Sequence, residues 1–328
     1  MTDPIRWGIL GASKFARNSM APAIHATPGH KLAGLATRDP AKATPFVALA
    51  PGLRIHDSYE ALLADPDIDA VYVPLPHTLH VEWGLKALDV GKPVLIEKPV
   101  AMSAPEIAPL IAARNRTGLP ATEAYMIAHH PQWTFVKDLL AQGAIGDLRH
   151  VDGVFTYDNS ADCENIRNRA TTGGGSLPDI GVYVIGGTRI ATGEEPQEIT
   201  HAHLDWESGC DTVARVSAQF SGFTAQWRTS MRMALDQRMT FHGQTGIIHM
   251  SSPFNPPGFG EARVTWWGKD GPRQERRWPG VEHYVLQVEA FGRAIRDGAK
   301  LPWTLEDAQG TQAIIDAIYQ AVGGRTEA

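Results

Sequence analysis

With 328 residues, 43% of them hydrophobic and 20% charged, the chain has room for roughly two domains and the composition of a globular protein. A net charge of −6 without a basic block argues against a nucleic-acid partner, and no apolar run approaches the length of a membrane span. Cys163 and Cys210 are too few for a disulfide framework or a structural zinc site, and no secretory leader is readable before the first strand, so the cytoplasm is the expected compartment.

An apolar strand over 6–10 runs directly into Gly11-Ala12-Ser13-Lys14-Phe15-Ala16, followed by a helical stretch over 15–26. Gly11, Ser13 and Ala16 fill the three positions of a G-x-G-x-x-G/A dinucleotide fingerprint, with Ser13 where glycine is usual. Glycine at the first position permits the tight turn. Small residues at the others let a pyrophosphate approach the helix N-terminus. Further strands are readable at 31–36, 70–73, 93–96 and 120–124, and helices at 40–50, 59–64, 79–90 and 104–117. Gly91-Lys92-Pro93 and Gly118-Leu119-Pro120 punctuate two helix-to-strand junctions. This alternation predicts an α/β Rossmann domain over 1–122, built on a parallel doubly wound sheet.

The second strand ends in Thr37-Arg38, where an acid would accept hydrogen bonds from an NAD ribose. A hydroxyl and a guanidinium suit a 2′-phosphate and point to NADP(H), with NAD(H) the alternative. The competing reading makes Arg38 an ordinary surface side chain and gives the ribose to Asp39. The strand over 70–73 leads into Pro74-Leu75-Pro76-His77-Thr78-Leu79-His80, a rigid turn beside the crevice where open α/β sheets bind ligands. His77 and His80 read as structural or cofactor-facing, since no carboxylate or third histidine is near. The same holds for His129-His130 and His201/His203, and no metal is expected. Leu95-Ile96-Glu97-Lys98-Pro99 then puts a charged pair at the end of a buried strand, which is costly unless the charges are paired or used. The bland alternative is a solvated loop pair.

After Tyr125 the pattern changes. A helix over 131–142 precedes strands at 148–157, 198–206, 213–220, 223–229, 238–243, 247–250 and 263–267, and helices over 281–297 and 304–321 close the chain. Strands in succession predict an α+β domain over 123–328 with a large, mainly antiparallel open sheet, the last helices packing back on the Rossmann domain as an option. Within 173–183, Ser176 reads as an N-cap and Pro178 as a first-turn proline. Asp179 and Tyr183 fall four apart on one helix face, with Gly181 leaving room for a close neighbour. Two readings stand side by side: a Ser176/Asp179 capping box with a core Tyr183, or a carboxylate–phenol pair facing the nicotinamide.

These motifs together resemble the Gfo/Idh/MocA family of nicotinamide oxidoreductases over nearly the whole length. The resemblance rests on the opening fingerprint, Glu97-Lys98-Pro99, Glu123-Ala124-Tyr125-Met126 and the stretch 173–183, with weaker support from Val288-Glu289-Ala290-Phe291 and Glu306-Asp307-Ala308. It implies a Rossmann domain joined to an open-sheet domain used for dimers or tetramers. It also implies that Lys98 is the catalytic lysine, Pro99 a commonly cis proline and Asp179 the aspartate of the second motif. Tyr183 stands where many members have histidine. That variant is similar to the branch of dihydrodiol dehydrogenases, glucose–fructose oxidoreductase and NADP-linked aldose dehydrogenases, in agreement with Thr37-Arg38. Ser13 departs from the family pattern, as does Ala128, which stands where relatives often carry arginine.

The resemblance implies hydride transfer between NADP(H) and a carbinol or carbonyl carbon of a sugar or cyclic polyol. Its cofactor set would be Gly11, Ala12, Ser13, Lys14, Phe15, Thr37, Arg38, Pro74, Leu75, Pro76, His77, His80, Glu97 and Lys98. Its substrate set would be Lys98, Tyr125, Tyr157, Asn159, Arg167, Asp179 and Tyr183, with Trp133 and Asp158 as further pocket material, aromatic faces meeting sugar faces and polar groups binding hydroxyls. Tyr183 assisted by Lys98 is the expected proton-transfer group, and a Lys98 base with a positioning Tyr183 is the competitor. Two rival functions are an NAD-dependent glycoside hydrolase of the same family, which usually has histidine at the Tyr183 position, and a non-catalytic NAD(P)-binding regulator, which needs no Lys98, Asp179 and Tyr183. A homo-oligomer, most simply a dimer, is expected through the open sheet face, with Trp227, Trp266 and Trp267 on or beneath it.

Overall fold

The computed structural model describes residues 3–269 and 271–325. The chain forms two compact units, one up to His129 together with His283–Gln309, the other His130–Glu282 with the chain from Gly310 onwards.

In the first unit, β1 (Ile5–Leu10), β2 (His30–Ala36), β3 (Arg54–His56), β4 (Ala70–Val73), β5 (Val94–Glu97) and β6 (Ala121–Ala124) alternate with α1 (Ala21–Ala26), α2 (Pro40–Leu49), α3 (Tyr59–Ala64), α4 (His80–Asp89) and α5 (Ala108–Thr117). All the strand pairs are parallel, in the order β3-β2-β1-β4-β5-β6. The order reverses between β1 and β4, and Gly11 follows β1 at that switch point. Both faces are covered, which explains the unbroken apolar strands. In β4, Val71 and Val73 enter one core cluster while Ala70 and Tyr72 enter the other.

Two local features depart from the sequence reading. The helix over 15–26 is interrupted: a π-type turn, Ala16–Met20, precedes α1, and the Ala21 N–H donates to the Ala16 carbonyl. Pro22 then sits in the first turn of α1, where its missing N–H costs nothing. β3 escaped detection because it is a three-residue edge strand, Arg-Ile-His, with no buried residue to mark it.

In the second unit, α6 (Pro131–Ala141) precedes β7 (Leu148–Asp158), and α7 (Val182–Thr192) separates β7 from β8 (Glu198–Glu207), β9 (Cys210–Gln219), β10 (Thr224–Ser230), β11 (Arg232–Gly243) and β12 (Gly246–Met250). The short α8 (Pro256–Phe259), β13 (Ala262–Gly268) and β14 (Gln274–Trp278) follow, then α9 (His283–Asp297), which belongs to the first unit, and α10 (Leu305–Ala321). The sheet runs β14-β13-β12-β11-β7-β10-β9-β8, antiparallel except for the β7–β10 pair. One face lies under α6 and α7. Trp227 donates from Nε1 to Thr188 Oγ1 of α7 at 3.0 Å, and the Trp266 ring lies 5.2 Å from that of Phe135 on α6. Trp267, the next residue along, points to the other face, where the Arg273 guanidinium lies over its ring. β14 was not read from the sequence because Gln-Glu-Arg-Arg-Trp is a polar edge without alternation.

Candidate active site

In the first unit, the turn after β1 is held by the Gly11 N–H, which donates to the Ala36 carbonyl at 2.9 Å. Gly11 has φ +94°, and a Cβ there would come 2.9 Å from Leu75 Cδ2, so both conformation and space call for glycine. Ser13, the unusual fingerprint residue, closes the following turn itself. Its Oγ accepts from the Ala16 N–H at 3.0 Å and its carbonyl accepts from the Arg17 N–H at 3.1 Å. Ala12 and Phe15 are half-buried beside it and Lys14 is exposed.

At the end of β2, Thr37 Oγ1 accepts from the Asp39 N–H, and Asp39 Oδ1 accepts from the Ala41 N–H at 3.0 Å as the N-cap of α2. Arg38 is exposed, and its charge acts on the Tyr59 phenol, which burial pushes up. The Tyr59 hydroxyl lies 3.4 Å from where a Gly11 Cβ would be, so Arg38 belongs to the surroundings of the fingerprint turn.

The loops after β4 and β5 are fastened to one another. His80 is fully buried, with Nε2 2.8 Å from the Leu75 carbonyl and Nδ1 2.8 Å from the Pro99 carbonyl. Burial pulls its pKa down to about 4, against two carbonyls that favour the charged ring. His80 thus ties the two loops together; Pro76 is half-buried at the turn, and Pro74 and His77 are buried. The Lys98–Pro99 peptide is cis. Glu97 accepts from the Tyr72 hydroxyl at 2.5 Å and from the Lys98 N–H at 3.2 Å. Behind this loop, Glu123 accepts from the Val100 N–H at 3.0 Å and from Trp303 Nε1 at 2.8 Å. Burial pushes Glu123 up to about 7, Glu97 adding to the shift and Lys98 opposing it. Tyr125 is fully buried, its ring stacked at 4.4 Å on Trp303.

In the second unit, a π-type turn, Leu177–Gly181, leads into α7 and carries Asp179, which is 4% exposed. Asp179 Oδ2 accepts from the Tyr157 hydroxyl at 2.6 Å, and Oδ1 accepts from Arg167 Nε at 2.8 Å. Two of the proposed substrate residues therefore converge on the proposed catalytic carboxylate. Asp179, with Tyr157 and Tyr183 adding, raises the pKa of the Arg167 guanidinium, and burial followed by Asp179 pushes the Tyr157 phenol up. At neutral pH the cluster is an ion pair with a neutral phenol donor. Tyr183, 5% exposed, lies with its ring 5.7 Å from those of Phe155 and Phe254. Asn159 Oδ1 accepts from Arg232, while its Nδ2 is buried with no hydrogen-bond partner.

Three expectations need correction. Ser176 stands at the N-cap position, but its side chain caps nothing: its backbone is already helical, and its hydroxyl donates to Asp211 and lies 2.9 Å from Thr229 Oγ1. No capping box forms, because Asp179 faces Tyr157 and Arg167 instead. At Gly181 the nearest atoms to a Cβ would be those of Leu177 and Ser176 in its own turn, Leu177 Cδ2 at 3.0 Å. Trp133 is buried and donates to the Pro253 carbonyl, and the exposed Asp158 accepts from the Ser160 N–H. The reading missed Tyr72, Glu123, Trp303, Asp211 and Tyr319. Glu123 carried a usable signal, an acid inside the buried strand over 120–124, which demands a partner. Among the described residues, no three His, Cys, Asp or Glu side chains are placed to hold a metal ion, and no helix is long and apolar enough to cross a membrane.

Residues 5–125 match the model of an oxidoreductase family with an NAD-binding Rossmann fold, GFO/IDH/MocA, and residues 133–249 match that family's C-terminal domain. An uncharacterized oxidoreductase of Rhizobium meliloti, ORF334, is 36% identical, with 97% of each chain covered. D-xylose 1-dehydrogenase (NADP(+)) 2 of Haloferax volcanii is 32% identical, with 96% of each covered. The crystal structure of KijD10, a 3-ketoreductase from Actinomadura kijaniata in complex with NADP and TDP-benzene, matches with a TM-score of 0.89 at 32% identity, with 98% of both chains covered.

Proposed function

The chain belongs to the Gfo/Idh/MocA family and is an NAD(P)-dependent oxidoreductase acting on sugars, and we propose that it uses NADP(H) in preference to NAD(H). Arg38 supports the preference, as an exposed guanidinium at the end of β2, and so does Asp39, whose carboxylate already caps α2. The turn at Gly11, closed by Ser13 and followed by a helix, fits a dinucleotide pyrophosphate. When bound, the cofactor supplies the hydride acceptor or donor.

The observation that carries the reading is the Tyr157–Asp179–Arg167 cluster, built round a buried carboxylate one turn of helix from Tyr183. A buried carboxylate held by a half-exposed guanidinium and a phenol suits a site that binds and orients hydroxyls. As a carbinol loses hydride, its hydroxyl proton must leave at nearly the same time. Tyr183 takes that proton in this reading; a phenol is a poor base unless a cation stabilises its phenolate, and Lys98 is the residue the family resemblance nominates for that. Asp179 fixes Arg167 and Tyr157, and these, with Asn159, bind the remaining hydroxyls. Sugar or cyclic polyol is the substrate class.

The test is a panel of aldoses, cyclitols, dihydrodiols and keto-sugars, free and nucleotide-linked, assayed with NADP⁺ and NADPH by nicotinamide absorbance. Turnover of a sugar or cyclitol with NADP(H) ahead of NAD(H) is the expected result. Glycoside cleavage with no net cofactor change would instead establish the hydrolase reading.

A further inference from the structure

Asp211, the second residue of β9, is 1% exposed and lies just past the hairpin turn at Ser208 and Gly209, both of positive φ. Its Oδ2 accepts from Ser176 Oγ and from the Leu177 N–H, each at 2.8 Å. Its Oδ1 accepts from the Tyr319 hydroxyl of α10 at 2.6 Å. Burial raises the pKa of both Asp211 and Tyr319, while the Tyr319, Leu177 and Ser176 donors favour the carboxylate. Packing alone would be served as well by apolar side chains of similar volume. What a carboxylate adds is a fixed place for the backbone N–H it accepts from. That N–H belongs to Leu177, which opens the turn bearing Asp179 and leading to Tyr183.

The approach is close. Gly175 has φ +135°, and a Cβ there would come 2.2 Å from Asp211 Oδ1. The same glycine donates its N–H to the Arg167 carbonyl at 3.0 Å, so the loop that meets Asp211 also sets the backbone of the residue paired with Asp179.

We infer that Asp211 and Tyr319 are positioning residues: together they set the seat of the Leu177–Gly181 turn and so present Asp179 and Tyr183 to the substrate. The inference rests on the assignment of Asp179 and Tyr183 made above. Neither Asp211 nor Tyr319 touches the reacting atoms. A displacement of about 1 Å in a catalytic group costs on the order of a hundredfold in rate.

Tyr319→Phe removes one hydroxyl and keeps the ring, and Asp211→Asn keeps the volume and turns one acceptor into a donor. On the sugar identified by the panel, Tyr319→Phe should lower kcat by about ten- to a hundredfold while leaving the NADP dissociation constant within about twofold of the parent. Asp211→Asn should lower kcat further. In a Tyr183→Phe background, Tyr319→Phe should lower the residual kcat by a clearly smaller factor than in the parent, because one of the two groups it positions is gone. If Tyr319→Phe folds, binds NADP and turns over at the parent rate, the inference is overturned. The same conclusion follows if its effect is undiminished in the Tyr183→Phe background. Should Tyr183→Phe and Asp179→Asn both keep parental turnover, the site assignment itself fails, a result the two single variants report without reference to Tyr319.

Discussion

Tyr157 and Tyr183 are both phenols beside Asp179 in the proposed chemistry, but their situations differ. Tyr157 donates to Asp179, and burial beside that carboxylate keeps it protonated, so proton transfer is proposed for Tyr183. Tyr183→Phe should lower kcat by roughly 10²–10⁴ with NADP affinity nearly unchanged, in steady-state kinetics alongside a cofactor titration. Near-parental turnover would leave Tyr183 as a packing ring against Phe155 and Phe254. Arg38→Ala should weaken NADP binding by roughly ten- to a hundredfold relative to NAD, the worth of one charge-assisted phosphate contact, and equal losses would refute the preference. Glu123 makes a prediction about pH. Its folded pKa of about 7 lies above the unfolded value of about 4.3, so the folded chain holds the extra proton between them. Stability from this group is therefore full below about 4.3 and falls as pH rises through about 7. In calorimetry from pH 4.5 to 7, the parent's Tm should fall more than that of Glu123→Gln, and parallel curves would contradict the assignment. Lys98, Asp179 and Tyr183 could be nominated because each sits in a short local motif. Trp303 was not, since it meets Glu123 only through the fold, 180 positions along the chain.

Elements with a buried period announced themselves, and those without did not. β4 and α3 fall where the residue pattern put them, because every residue of β4 is buried and Ser58 caps α3 through the Ala61 N–H. β14 is polar, and the first residues of β11 show no buried alternation and pair irregularly with β7, so the strand character of both comes from the neighbour they pair with. The start of the helix at 176 was misread for a related reason. Serine followed three residues later by an acid fits a local cap, but Asp211, from a different hairpin, took the serine hydroxyl. Glycines separate local from tertiary demands in the same way. Gly193, φ +72°, has nothing within 4 Å of a Cβ position, whereas at Gly175 the Cβ would strike Asp211. Gly193→Ala should therefore cost about 1 kcal/mol from backbone strain alone, and Gly175→Ala about 2–4 kcal/mol from strain plus collision. Denaturant melts of the two variants compare them directly; equal costs would mean that the carboxylate yields without resistance.

At the scale of the molecule the question is what the uncovered face of the second sheet is for. The register lines up a row across it, His201, Ser217, Gln226, Asp152, Thr240, His249, Thr265 and Glu275, flanked by a row with Arg215, Arg228 and Arg238 and another with His150, His242, Ile247 and Trp267. Asp152 lies 3.4 Å from His150 and 3.2 Å from His242 near the middle. A face this polar tolerates water, so cover is not forced on it by apolar exposure alone. Its size matches a specific contact: strands about 4.8 Å apart and some seven residues long give about 800 Å², the usual area per partner. Charges of both signs in adjacent rows also let the face meet itself about a two-fold axis. We propose a homodimer on this face, held by polar pairing about a small apolar contribution from Ile247 and Trp267. Light scattering at micromolar concentration should give twice the chain mass for the parent. Asp152→Arg, which sets a cation beside the row of arginines, should give a monomer that still binds NADP. A parent that is monomeric there, or an Asp152→Arg protein that remains dimeric, would place any self-association elsewhere.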